Sequence, residues 1–198
     1  MESEADIAYR LLTENSKKHK HSKFYKYISK ADKISIKENK KISLPLFLVK
    51  TVISQQVSTS AAQTIWIRFQ KILKDTKVKN LTKKDLQLAG ISRQKSEYIL
   101  KILENTVINS LSKEKLKRLS KENLTNKLIK VKGIGPWSVG MTRMFFVCDP
   151  DVWLEGDLGI KKSLKVFLPD LDKDQIKEIY SPHRTYLCLY LWKALDSI

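Results

Sequence analysis

Apolar residues recur at helical spacing along most of this 198-residue chain, and that period restricts its fold more than any other feature. Leu48, Val49, Val52 and Ile53 share one helical face, as do Ala61, Ala62, Ile65 and Phe69. Tyr98, Ile99, Ile102 and Leu103 repeat the pattern, and so do Leu124, Leu128 and Ile129. A last helix is expected after Ser181-Pro182, with Ser181 as N-cap and Pro182 at the first helical position, running through Leu187 and Leu191. The sequence carries no alternating strands, glycine-rich linker or internal repeat. The expected class is all-α, in one large domain or two small ones, with enough chain to bury a sizeable core.

The helical pattern turns most tightly within KVKGIGPWSVGMTRMFFV, residues 130–147. Gly133 and Gly135 permit torsions and close approaches that a side chain would hinder. Pro136 suits the first turn of a following helix carrying Trp137, Met141 and Phe145. The expected result is helix, hairpin, helix, with backbone N–H groups and the positive end of a helix facing outward, a ready site for phosphate. Eight Lys or Arg against two Glu from Ser110 to Gly135 place the hairpin in a basic stretch. An ordinary C-cap and turn also accounts for G-x-G, but the position between two amphipathic helices favours a clamp on a DNA backbone.

Charge points the same way. Lys plus Arg number 38 against 21 acidic residues, a formal net charge of +17. Such an excess suits a polyanionic partner, nucleic acid ahead of a membrane surface. Only six of the 38 are Arg, however, and a lysine-rich compositional habit of the source organism produces the same excess. No apolar run is long enough to span a bilayer, and Met1 to Asp6 is acidic, unlike the start of a signal peptide. Cys148 and Cys188 are too few and too far apart for a disulfide framework, and no zinc spacing surrounds them. Both are expected as buried thiols, in a reducing intracellular compartment. His19, His21 and His183 form no ligand pattern and are expected in solvent, while Trp66 and Trp153 are assigned to packing.

Asp157 precedes Ile160, Lys161 and Leu164 by three, four and seven residues, which places it at the start of a helix on its apolar side. The residues alone favour a helix N-cap. Asp149 and Asp151 are read as turn residues, and Glu155 lies on the other side of Gly156.

Five stretches taken together resemble a known family. LIKVKGIGPWSVGMTRMF (128–145) and DVWLEGDLGIKKSL (151–164) are similar to the helix-hairpin-helix superfamily of DNA glycosylases, within it the alkylation-repair branch of 3-methyladenine DNA glycosylase II type. VISQQVSTSAAQTIWIRF (52–69), GISRQKSEYILKI (90–102) and SPHRTYLCLYLW (181–192) also match, in the family's order, and cover most of the chain from Leu44 onward. The first 43 residues match only loosely, and no counterpart of the sheet-containing amino-terminal domain of longer bacterial relatives is expected. The resemblance implies two helical subdomains with the active-site cleft between them. One, residues 44–147, carries the hairpin; the other joins 1–43 to 148–198 and carries the catalytic Asp. It further implies a monofunctional glycosylase of base excision repair that flips out and hydrolyses alkylated purines such as 3-methyladenine. Its partner would be duplex DNA containing damaged bases, bound by a monomer with no membrane attachment. A glycosylase for hypoxanthine, uracil or oxidised purine, or a non-catalytic DNA-binding module, are the alternatives.

Residue by residue, the resemblance makes Asp157 the catalytic carboxylate, facing the positive charge that develops on the sugar. Trp137 stands where bifunctional members carry a Schiff-base lysine, which implies hydrolysis without strand cleavage. Trp192 matches a base-stacking position, and Trp137 and Met141 line the same pocket, Met141 where some relatives place tyrosine. Gln56 aligns with the wedge that fills the hole left by the flipped nucleotide, with Ser58 capping the next helix. Lys132, Gly133, Gly135 and Trp137 would contact the DNA backbone, and Arg184 gives structural support or a DNA contact. No cofactor is required, the four-cysteine iron–sulfur pattern is lacking, and a monovalent cation is implied on the carbonyls of Ile129, Val131 and Ile134.

Overall fold

The structure, a computed structural model, describes residues 2–37 and 42–195. Those residues form thirteen α-helices and no strand: α1 (Glu4–Lys18), α2 (Ser22–Ile28), α3 (Leu44–Ser54), α4 (Thr59–Asp75), α5 (Lys83–Leu88), α6 (Arg93–Glu104), α7 (Thr106–Asn109), α8 (Lys113–Lys117), α9 (Lys121–Ile129), α10 (Pro136–Met141), α11 (Leu158–Phe167), α12 (Lys173–Tyr180) and α13 (Arg184–Ala194). A π-helical stretch, Thr142–Val147, continues from α10. The sequence punctuates this series locally. Ser3, Ser58, Thr82, Ser92, Asn105, Ser112, Ser120, Asp157 and Asp172 each accept a backbone N–H of the helix they precede. Each such cap is worth about 1 kcal/mol.

The chain divides into two compact units, Met1–Glu38 with Arg143–Ile198, and Asn39–Thr142. The crossings fall after residues 38 and 142, where the sequence reading placed them after 43 and 147. In the continuous unit, α3 packs against α4, α6, α7 and α10, and α5 against α6. Leu48, Val49, Val52, Ile53, Phe69, Ile99, Ile102 and Leu128 are buried there, as the spacing predicts. Burying a side chain of this size contributes about 1.5–3 kcal/mol. Ile129 departs from the pattern: it is 45% exposed, because it sits at the end of α9 where the chain turns away into the hairpin.

In the discontinuous unit, α1 packs on α2, α12 and α13, and α11 on α2 and α13. Its core includes Leu12, Phe24, Ile28, Ile160, Tyr180, Leu187, Tyr190 and Leu191. Two expectations fail here. The last helix starts at Arg184 rather than at Pro182, with His183 as its N-cap residue. Ser181 instead closes α12 and donates its hydroxyl to Asp151 Oδ2 at 3.0 Å, so it has no part in capping α13. Nor are the histidines all solvated. His183 is 7% exposed, with Nε2 3.0 Å from Glu4, and His21 Nδ1 lies 2.7 Å from the buried Tyr180 hydroxyl. Cys188 is buried and its thiol pushed up to about 12 by that burial, whereas Cys148 is only half-buried.

Candidate active site

In the continuous unit the hairpin is held by Tyr98 of α6 and by Gln55 at the end of α3. Gly133 has φ +94°, and a Cβ there would lie 2.5 Å from Tyr98 Cγ on α6. Both the torsion and the contact demand glycine. Gly135 differs from expectation: its φ of −101° and ψ of −178° are extended values open to any residue, and a Cβ would meet nothing within 4 Å. Val131 and Ile134 anchor the turn in the core, and the Val131 carbonyl accepts the Ile134 N–H at 3.0 Å. α10 then starts on Gly135 with proline in its first turn and no side-chain cap. Trp137 and Met141 follow one turn apart on one half-buried face, and Lys132 is exposed.

The glutamine pair at the end of α3 divides its work. Gln55 donates Nε2 to Gly133 O at 3.1 Å and to Ser138 Oγ at 2.9 Å. Gln56 is exposed, with φ +55°, at the tip of the turn that Ser58 closes by capping α4. Trp66 is buried and packs on Phe69 at 5.5 Å between ring centroids, in line with a packing role.

In the discontinuous unit Asp157 is the N-cap of α11. Its Oδ1 accepts the Ile160 N–H at 2.9 Å and the Trp192 indole N–H at 2.9 Å. Trp192 is half-buried and lies parallel to Phe145, with ring centroids 6.3 Å apart. Gly159 makes room for this pairing, since a Cβ there would press on Trp192 at 3.2 Å and on Asp157 Oδ1 at 3.3 Å.

The segment leading to Asp157 is fastened at its other end. Arg143 pairs with Asp149 at 2.6 Å, and Asp149 Oδ1 accepts the Asp151 N–H at 2.9 Å, so Asp149 is a turn residue as read. Asp151 is not. It is 7% exposed and receives Arg184 Nε at 2.6 Å and Nη2 at 2.8 Å, together with the Ser181 hydroxyl. Burial alone would raise its carboxyl, but the Arg184 hydrogen bonds and charge win and hold it at about 2. Arg184 is thus committed to structural support. Thr185 adds two more ties, accepting the Val152 N–H at 2.9 Å and donating to Asp149 O at 2.7 Å. One helix, α13, therefore fixes the loop by its first turn and Asp157 by Trp192 in its last. Glu155 is exposed and pairs with Lys173 at 2.5 Å.

Sequence reasoning missed Gln55, Tyr98, Gly159 and the role of Asp151. The interruption of an apolar run by two glutamines was a signal for the first; the others depend on neighbours distant in the chain.

Among the described residues no three His, Cys, Asp or Glu side chains converge as metal ligands, and no helix is long and apolar enough to cross a membrane. No protein-family model matches the chain. DNA-3-methyladenine glycosylase 1 of Schizosaccharomyces pombe is 32% identical over 161 residues, which is 74% of this chain and 70% of that protein. The Bacillus subtilis protein YfjP is 28% identical over 167 residues, 75% of this chain, and the chain spans only 58% of its length. Among solved structures, S. pombe 3-methyladenine DNA glycosylase (Mag1) in complex with abasic DNA superposes with a TM-score of 0.78 at 26% identity, covering 96% of this chain and 97% of that one. A DNA-3-methyladenine glycosidase from Bacillus halodurans gives 0.71 at 26% identity, covering 92% and 88%. Identity at this level over this share of both chains, on the same all-helical fold, places the chain in the 3-methyladenine DNA glycosylase family of helix-hairpin-helix glycosylases.

Proposed function

We propose that the protein is a monofunctional DNA glycosylase that excises alkylated purines such as 3-methyladenine from duplex DNA. The observation that carries this is the paired hydrogen bonding of Asp157 Oδ1, to the start of α11 and to the Trp192 indole. Two N–H donors, one of them at a helix N-terminus, lock the orientation of the carboxylate. A fixed negative charge of this kind stabilises an oxocarbenium-like sugar as the base departs.

The base must first leave the stack, because the duplex hides its glycosidic bond. The C1′–N bond then breaks with its electron pair going to the purine, which an N3- or N7-alkyl group already makes a good leaving group. Water adds at C1′ and loses a proton, leaving an abasic site. Trp137 cannot form a Schiff base, so the sugar is not attacked by the protein and the strand stays intact. Trp137, Met141 and Trp192 supply aromatic and soft apolar surface suited to a cationic purine. The backbone clamp is supported by Gly135, since the protein itself gives no reason for glycine there, whereas a phosphate approaching the uncapped start of α10 does. The Ile129, Val131 and Ile134 carbonyls are the oxygen donors a hard monovalent cation takes, and the Val131 carbonyl keeps a second lone pair beside its Ile134 bond. A cation there would add positive charge beside the phosphate.

The test is to incubate purified protein with methylated duplex DNA and identify the released bases by chromatography. Free 3-methyladenine is expected, with strand breaks only after alkali and no adduct trapped by borohydride. Release of no alkylated base at any salt concentration overturns the reading, and an efficiently trapped adduct overturns the monofunctional mechanism.

A further inference from the structure

Lys95 lies in the first turn of α6 and is half-buried, whereas lysine is mostly exposed. Its ammonium donates to Ile53 O at 3.0 Å and to Gln55 O at 2.5 Å. These are carbonyls at the C-terminal end of α3, where the last oxygens lack intrahelical partners and the helix dipole is negative. Partial burial lowers the Lys95 pKa. The next residue, Gln56, adopts φ +55°, a left-handed torsion that costs a non-glycine residue about 1–3 kcal/mol and persists only where its surroundings enforce it. Those surroundings are now identified. Gln55 is gripped at its carbonyl by Lys95 and at its side chain by Gly133 O and Ser138 Oγ of the hairpin.

We propose that Lys95 and Gln55 are positioning residues that join the Gln56 turn to the hairpin as one rigid piece. Gripping the phosphate backbone with the hairpin then sets the depth and direction at which Gln56 enters the duplex. The inference rests on the function proposed above for its setting, but neither residue touches the reacting atoms. Lysine suits the task because a compact ammonium can reach two carbonyls of one helix end at once, whereas the planar fork of arginine is spaced for a carboxylate. Lys95 thus acts on the wedge from about 40 residues away in sequence, through backbone alone.

The experiment is a mutant cycle on wild-type protein and the variants Lys95→Met, Gln55→Ala, Gln56→Ala and the two doubles with Gln56→Ala. The first readout is 2-aminopurine fluorescence beside an abasic analogue in bound duplex, which reports insertion without needing excision. The second is the excision rate on duplex and on single-stranded methylated DNA. Lys95→Met and Gln55→Ala should each lower insertion and duplex excision about tenfold, within the coupling range for residues of one network. Single-strand excision should change by less than about twofold, and neither variant should add a further loss once Gln56 is alanine. Lys95→Arg should restore the rate only in part. Equal losses on single and double strands, or losses that multiply in the Gln56→Ala background, overturn the proposal. If Lys95→Met fails to fold, the Gln55→Ala arm decides alone. Normal insertion by a wild-type protein that releases no base would defeat the glycosylase reading and leave this coupling standing.

Discussion

Helix α10 starts on Gly135 with no side-chain cap, whereas α11 starts on Asp157, whose Oδ1 accepts the Ile160 N–H at 2.9 Å. Both helix ends present a positive dipole, but they are finished for opposite purposes. At α10 no side chain caps the start and a Cβ at Gly135 would meet nothing within 4 Å, which suits the phosphate contact proposed above. At α11 an internal carboxylate caps the end and, on the proposed mechanism, presents its charge to a cationic sugar. The difference teaches that, on the proposed function, the same backbone element would serve phosphate binding or carbocation stabilisation according to whether one side chain occupies its start.

Replacing the charge at α11 should give the largest effect. Asp157→Asn keeps a good N-cap, so thermal stability and binding to abasic-site DNA should hardly change. Single-turnover excision should fall by about a hundredfold to a thousandfold, or about 2.7–4 kcal/mol of barrier. Near-full excision of both 3-methyladenine and hypoxanthine by the variant would return Asp157 to a purely structural cap. Next in size is Gly133→Ala, which introduces left-handed strain and a collision with Tyr98 at the hairpin. A loss of about 2–3 kcal/mol in urea unfolding is expected, with weaker DNA binding. Unchanged stability would mean that Tyr98 moves aside and that the tight turn is not required.

Acid should separate the two regions by about 2 kcal/mol. The Asp151 carboxyl is held at about 2 in the folded protein, below its unfolded value, so its contribution is complete above about pH 4 and is lost as pH falls towards 2. The continuous unit holds no buried carboxylate among its described residues, and its lowered Asp85 and Glu97 carboxyls lie at the surface, where such pairs contribute little. Amide exchange should therefore speed up around Asp151 and Asp157 before it does around the hairpin, and Asp151→Asn should abolish that pH dependence. Simultaneous loosening of both regions would refute the assignment. The smallest change tests the comparison most directly. Gly135→Asp offers α10 the side-chain cap it lacks, at a position where a Cβ would meet nothing within 4 Å, and should add about 1 kcal/mol of stability. The same carboxylate should weaken DNA binding measurably, because it would occupy the place proposed for a phosphate. Tighter or unchanged binding would show that this helix start does not meet the backbone.

The helical class, most core faces, the hairpin and the cap at Asp157 were legible because each is decided by residues within a few positions of one another. Leu48 to Ile53, Gly133 to Pro136 and Asp157 to Ile160 carry their own periodicity or turn chemistry. Trp192 was legible as a special tryptophan, but not as a hydrogen-bond donor to Asp157, since 35 residues separate them. Ser181 misled because a Ser-Pro start and a Ser closing the preceding helix look alike until Asp151 claims the hydroxyl.

By itself, then, the sequence determined the helices, the hairpin and the kinds of side chain available for chemistry, through local torsional preference and the apolar period. Tertiary structure decided which Asp is an ion-pair anchor and which caps a helix beside an indole, which glycine is forced and which stands open, and which glutamine is tied and which is presented. Those outcomes turn on single contacts of about 3 Å between segments far apart in the chain, and hydrogen bonding and packing at that range depend on where the backbones lie rather than on local composition.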